Sequence, residues 1–332
     1  RIKGLSLRKA VAEALFPPNR DKRTVETSLI RHFHYPKLGP GQMWESVGSE
    51  VLRLGGTIIS NTQVTGISFE EGRVTSVTAV DQTGAVKCWN QPKWVLSSMP
   101  IKDLLGEAKG IPDPIREVAA GLQYRDFITV GLLVRKLCPD SGLNLRPDNW
   151  LYVQEPGIRM GRVQIFNNWS PYLVADPSTT WLGLEYFANE GDDLWTMADE
   201  DLIRLAAQEL QALGIASAVD VLDQVVVRQP KAYPAYFGTY SRMDEIRNFT
   251  DGVENLLLVG RNGAHRYNNQ DHSMLAAMTA VDLILDPSRS KSEIWSVNTE
   301  EAYHESPSEP RIPDSISADN TQQQCKLSSP VR

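Results

Sequence analysis

The chain has 332 residues, 41% hydrophobic and 23% charged, the proportions of a folded globular protein and not of a disordered or fibrous one. Its 34 basic and 41 acidic residues leave a net charge of −7, which weighs against nucleic acid as a partner, because phosphate backbones need concentrated positive charge. The length allows a large core and two units, and no apolar run approaches the ~20 residues that span a bilayer.

Residues 5–16 carry one apolar face and predict a short helix, ended by Pro17 and Pro18; a second is expected around 25–30. Tyr35-Pro-Lys-Leu-Gly-Pro-Gly41 is a rigid approach to a helix over residues 42–54, closed by Gly55 and Gly56. Short strands are expected at 57–60 and 64–69, with a turn at Asn61 and Thr62. Glu71 and Gly72 read as a hairpin turn into a strand over 73–80. Residues 94–98 form another apolar strand, stopped at Pro100.

After Pro112 the composition changes. Segments 127–134, 150–153, 163–169 and 181–187 are rich in aromatic and branched residues and separated by Pro and Gly turns, which predicts a mainly antiparallel sheet. Residues 199–213 predict a covering helix capped by Gly214, 221–227 a further strand, and 231–240 an aromatic loop. Leu256-Leu-Leu-Val-Gly260 then reads as a buried strand leaving its sheet at a glycine. A polar loop follows, and residues 274–284 form an apolar-faced helix. Most of 300–332 reads as a mobile tail.

The loop between Gly260 and Met274 holds the densest chemistry. Arg261, His265, Arg266 and Tyr267 surround Gly263, and five hydrogen-bonding side chains run from Asn268 to His272. A glycine turn, adjacent cations and a helix N-terminus suit a phosphate-bearing ligand; an edge network around a strand-to-helix turn is the plainer reading. Asp271 is suited to capping the helix or binding a ribose or ribityl hydroxyl. Tyr35, Lys37, Tyr172, Tyr233, Tyr236 and Tyr240 are candidates for a substrate cavity, against core or hinge packing; Trp44 is expected to pack its helix.

Other chemistries find less support. His32, His34, His265 and His272 have no compact metal-ligand spacing, so no metal is expected. No G-x-S-x-G elbow accompanies the histidines, and Cys88 lacks a partner for nucleophilic work. Asp192–Asp193 and Glu70–Glu71 read as solvated turns. Cys88, Cys138 and Cys325 are odd in number and widely spaced, as in a cytoplasmic protein.

Three blocks carry a family resemblance: Tyr35 to Glu45, Gly55 to Ile67, and Gly260 to Met274. Together they resemble the flavin-dependent amine oxidase, protoporphyrinogen oxidase and phytoene desaturase superfamily, including UDP-galactopyranose mutase-like proteins, with similar arrangement over residues 1–286. The resemblance implies an α/β fold: a Rossmann-like FAD/NAD(P)-binding domain (36–111 and 251–286) interleaved with a mixed α+β substrate domain (1–35 and 112–250). Residues 287–332 form a largely flexible extension. It implies FAD as cofactor, with Val64, Gly260, Arg261, Asn269, Gln270, His272, Ser273 and Met274 on the cofactor wall, and Tyr172, Tyr233 and Tyr236 in the substrate cavity.

No G-x-G-x-x-G turn occurs in the chain. The Rossmann-like domain is therefore expected to be incomplete at its N-terminus, with an N-terminal portion or partner chain completing the site. The activity implied is hydride transfer from a small organic substrate to flavin. A flavin-dependent nucleotide-sugar mutase and a noncatalytic scaffold are the alternatives.

Overall fold

A computed structural model describes residues 34–138 and 148–298. The helices expected at 5–16 and 25–30, His32, and the tail over 300–332 lie outside the described residues. The elements in chain order begin with helix α1 (Pro40–Arg53), the hairpin β1 (Thr62–Glu70) and β2 (Arg73–Asp81), then β3 (Val86–Asn90) and β4 (Val95–Ser97). Next come α2 (Ile101–Gly106), β5 (Ala108–Lys109), α3 (Asp113–Ala120), β6 (Leu122–Val134), β7 (Trp150–Tyr152) and β8 (Arg162–Ile165). They are followed by α4 (Phe166–Trp169), β9 (Thr180–Ala188), α5 (Asp193–Thr196), α6 (Asp199–Ala212) and β10 (Val221–Gly238). The last are α7 (Met243–Asp251), β11 (Leu256–Leu258), α8 (Gly260–Gly263), α9 (Gln270–Leu285) and α10 (Ser292–Ser296).

The fold is α/β, with three sheets among the described residues. One has four strands in the order β3-β2-β1-β5, antiparallel except where β5 runs parallel to β1; the second pairs β11 with β4 in parallel. The third has five antiparallel strands in the order β10-β6-β9-β8-β7. The β1–β2 turn is set by Glu71 and Gly72, both at positive φ (48° and 73°), the backbone that tight hairpins require. Asn255 fastens this hairpin to the β11 strand: its side chain accepts from Val74 N at 2.8 Å and donates to Val74 O at 3.0 Å.

Period-2 alternation builds the five-stranded sheet. Ile128, Val130, Leu132 and Val134 of β6 and Leu182, Leu184 and Tyr186 of β9 point to one face, where Leu202, Ala206 and Leu210 of α6 cover them. A second buried cluster joins Ile67 and Phe69 of β1 to Leu104, Leu105, Leu256, Leu258 and Ala264, so the second and last blocks of the resemblance share a core.

Four expectations change. Residues 57–60 are not a strand, and β1 starts only after Asn61, at φ 53°. The segment expected as one strand over 163–169 divides into β8 and the short α4. The aromatic loop expected at 231–240 is instead the second half of β10, whose Pro230 and Pro234 are tolerated because β10 is an edge strand. Lys231, at φ 52°, marks an irregularity there, and the buried Asp126 carboxylate accepts its freed N–H at 2.7 Å. Trp44 is 43% exposed on a helix with no buried residue; among the described residues nothing covers the groove of about 560 Å³ beside it, lined by Pro36, Met43, Val47, Val51 and Leu54.

Candidate functional site

The turn after β11 is shaped by two glycines. Gly260 sits at φ 76°, and a Cβ on Gly263 would stand 2.4 Å from the Ser97 carbonyl of β4. Only glycine lets the chain leave the parallel pair this tightly.

Side chains then fasten this turn along the free edge of β10. Arg261 donates to Asn268 O at 2.8 Å and to Ala232 O at 3.1 Å, and Asn262 Nδ2 donates to Lys231 O at 3.0 Å. His265 Nε2 meets Ala235 O at 3.0 Å, and Tyr267 N donates to the Tyr236 hydroxyl at 2.7 Å. Each β10 carbonyl is an edge acceptor that would otherwise need water. His265 is fully buried at φ 46° with Nδ1 lacking a hydrogen-bond partner, and burial lowers its pKa against the opposing effect of the Ala235 contact.

Helix α9 begins with a reciprocal cap. The Asn269 side chain accepts from the His272 backbone, and His272 Nδ1 accepts from Asn269 N at 3.3 Å. Asp271, expected either to cap the helix or to bind a ribose or ribityl hydroxyl, does not cap it and lies 3.3 Å from His272 Nδ1. Asn269 and His272 therefore shape the helix start. Gln270 and Met274 remain exposed, Ser273 half-buried, and Val64 half-buried on β1 opposite Ala79.

Tyr233 is where this turn meets the five-stranded sheet. Its ring lies 5.7 Å from Phe127 and 5.9 Å from Phe187 on the sheet side, and stacks on Tyr267 at 5.6 Å and 13° on the turn side. The Arg261 guanidinium stands 5.3 Å from the Tyr233 ring and 4.7 Å from that of Tyr267. Tyr236 joins the same group through its bond to Tyr267. Tyr172 does not: it is exposed, with Lys37 Nζ 4.1 Å over its ring, and no described contact links it to Tyr233.

Sequence reasoning missed two charged residues behind Tyr233. Arg162 of β8 and Glu185 of β9 sit directly opposite each other in register and form an ion pair. Arg162 Nη2 donates to the Tyr233 hydroxyl at 3.2 Å, and Gln164 donates to the other Glu185 oxygen. Burial raises the Tyr233 pKa, with Arg162 partly opposing. The signal was present: Glu185 is a charged residue inside an apolar strand, out of phase with Leu182, Leu184 and Tyr186.

Among the described residues no group of three or more His, Cys, Asp or Glu is placed to hold a metal ion, and no helix is long and apolar enough to cross a membrane.

No known family profile matches the chain, and no curated protein matches it in sequence. Solved structures do match. A reduced UDP-galactopyranose mutase gives a TM-score of 0.64 at 21% identity, covering 81% of this chain and 56% of that one. A protein named as a protoporphyrinogen oxidase from Exiguobacterium sp. 255-15 gives 0.57 at 14% identity, over 76% of this chain and 51% of that one. A CLA-producing fatty acid isomerase from P. acnes gives 0.51 at 14% identity, over 75% and 52%.

The chain has their fold. This agrees with the fold that its sequence blocks imply, and all three proteins are named as enzymes. The chain spans about half the length of the structures it matches.

Proposed function

We propose that this chain forms the substrate floor and one cofactor wall of an FAD-dependent oxidoreductase of the amine oxidase-like superfamily, one that takes hydride from an organic substrate. The observation that carries this reading is Tyr233, whose ring touches the antiparallel sheet on one side and the Gly260–Tyr267 turn on the other. The residues fit the cofactor. Positive φ at Gly260 turns the chain sharply at the end of β11 while Gly263 packs it against β4, and the exposed start of α9 favours an anionic group.

Gln270, Ser273, Met274, Val64 and the Gly260 backbone are the groups to face FAD. Arg261, Asn269 and His272 hold the shape of that wall through the bonds described above. Bound flavin supplies hydride acceptance. The chain's own residues supply position: Tyr233 and Tyr267 present an aromatic wall that excludes water, Arg162 holds the Tyr233 hydroxyl, and Tyr236 holds the Tyr267 backbone.

We assign residues 36–111 and 251–286 to the cofactor portion and 1–35 and 112–250 to the substrate portion. In support, one buried cluster lies wholly within residues 128–216. The rest of the cofactor site falls to a further polypeptide portion, in keeping with the length of the matched structures. The unpaired thiols Cys88 and Cys138 support a cytoplasmic setting.

The likeness to the UDP-galactopyranose mutase, the highest of the three TM-scores at 0.64, favours a second reading as a flavin-dependent nucleotide-sugar mutase. Protein purified from the intact reading frame containing this chain separates them. Retained flavin that is bleached anaerobically by candidate amines supports the oxidoreductase. Isomerisation of a nucleotide sugar only after chemical reduction of the flavin supports the mutase. Protein that takes up no flavin when FAD is added leaves only a noncatalytic scaffold or interaction role.

A further inference from the structure

We infer that the face of the five-stranded sheet beside Tyr233 binds a small organic acid, a single carboxylate on an apolar or aromatic body. This rests on the substrate side of the reading above and names its ligand class. Three observations carry it: an aromatic floor, a surplus of positive charge, and a free hydroxyl hydrogen.

The floor is made by Phe127, Phe187 and Tyr233, whose ring centroids lie 5.6 to 5.9 Å from one another. Phe187 is 38% exposed, so this floor meets solvent at its edge, where the Arg162 guanidinium stands 5.5 Å from the Phe187 ring and 5.9 Å from that of Phe127. Such a surface on a folded chain marks a binding face when polar groups stand beside it.

Two guanidiniums reach Tyr233: Arg162 at its hydroxyl and Arg261 over its ring. Glu185 answers Arg162. Arg261 is answered only by the Asn268 and Ala232 carbonyls, and among the described residues no carboxylate pairs with it. Of these three charged groups, Arg162, Glu185 and Arg261, one positive charge is left over, and one carboxylate balances it. Because Tyr233 accepts from Arg162, its own hydrogen is free to be donated, and no described residue takes it. Arg162 is thus a positioning residue for a Tyr233 donor.

The ion pair itself argues for use. Glu185 is 2% exposed, and Arg162 Nε faces its Oε2 without the alignment of a hydrogen bond. An apolar pair of similar volume would serve a sheet as well or better, so stability does not account for it.

The test is calorimetric titration of the protein with benzoate and with its neutral isostere benzamide. We expect benzoate to bind at least about tenfold more tightly. Tyr233→Phe should weaken benzoate by about tenfold, the worth of one hydrogen bond to a charged acceptor. Glu185→Gln removes the countercharge and should tighten benzoate about threefold or more at low salt, with benzamide unchanged. Arg162→Met should lose benzoate selectivity; if circular dichroism shows that variant unfolded, the other two decide.

Equal binding of the two ligands, no binding of benzoate, or weaker benzoate binding in Glu185→Gln overturns the inference. Benzoate binding needs no flavin. A colourless protein that prefers benzoate therefore refutes only the flavin reading, and a yellow one that does not prefer it refutes only this inference.

Discussion

The two faces of the five-stranded sheet each contain a buried carboxylate, and the two are built differently. On the α6 face, Glu209 accepts from the Tyr186 hydroxyl at 2.9 Å and from the backbone amides of Arg159 and Met160 at 2.6 and 3.2 Å. Apolar side chains surround it, and burial followed by the Glu209 charge raises the Tyr186 pKa. On the other face, Glu185 answers a partly exposed arginine that donates to the Tyr233 hydroxyl at 3.2 Å. Burial alone does not separate a structural acid from one that serves a ligand. The partners do: Glu209 ends its network in the fold, whereas the Glu185 network ends at the Tyr233 hydroxyl, which donates to no group among the described residues.

Substitutions on the two faces should separate accordingly. Leu184→Ala empties a fully buried position and should cost about 3 kcal/mol, whereas Phe187→Ala three residues on, 38% exposed, should cost about 1 kcal/mol; urea denaturation checks both. Glu209→Leu strands the Tyr186 hydroxyl and two amides and should cost about 3 kcal/mol by the same measurement. Arg162→Met leaves Glu185 unpaired and should cost about 2 kcal/mol, reduced from the fully buried case by the 21% exposure of the arginine. The double variant Arg162→Met, Glu185→Leu should recover most of that loss; if it does not, the pair is structural and the two faces are alike.

Smaller effects test the junction between sheet and turn. Asn269→Ala removes the α9 cap and should cost about 1 kcal/mol with no ligand present. The smallest effect concerns pH. His265 has its folded pKa lowered, so the unfolded chain binds the proton more readily. Its contribution is present above the unfolded value of about 6.5 and is lost as pH falls below it toward the lower folded value. Stability curves from pH 7.5 to 5 should therefore fall more steeply in the wild type than in His265→Asn, which tolerates the left-handed backbone.

The parts that the sequence made legible are those that local chemistry dictates. Glu71–Gly72 announced the β1–β2 hairpin, the apolar alternation announced β6 and β9, and Gly260 marked the end of β11. Strand β3 was missed because all five of its residues are exposed and carry no alternation. The second half of β10 was misread because Pro230 and Pro234 signal a loop unless the strand is known to be an edge, which is a tertiary fact. Tyr233 and Tyr236 were legible as candidates and lie at the junction. Arg162 and Glu185 are 23 positions apart, and only the β8–β9 register joins them. Arg261 and His265 were legible as polar groups of the turn, but their bonds to the Ala232 and Ala235 carbonyls of β10 depend on a tertiary contact that no local pattern shows.

The visible spectrum of the protein from the intact reading frame tests the central claim most directly. If the Tyr233 face and the Gly260–Met274 wall form one site, the protein carries flavin, and benzoate shifts that flavin spectrum in the wild type but much less in Tyr233→Phe. A colourless protein that remains so after incubation with FAD contradicts the account, as does a flavin spectrum that benzoate shifts equally in both.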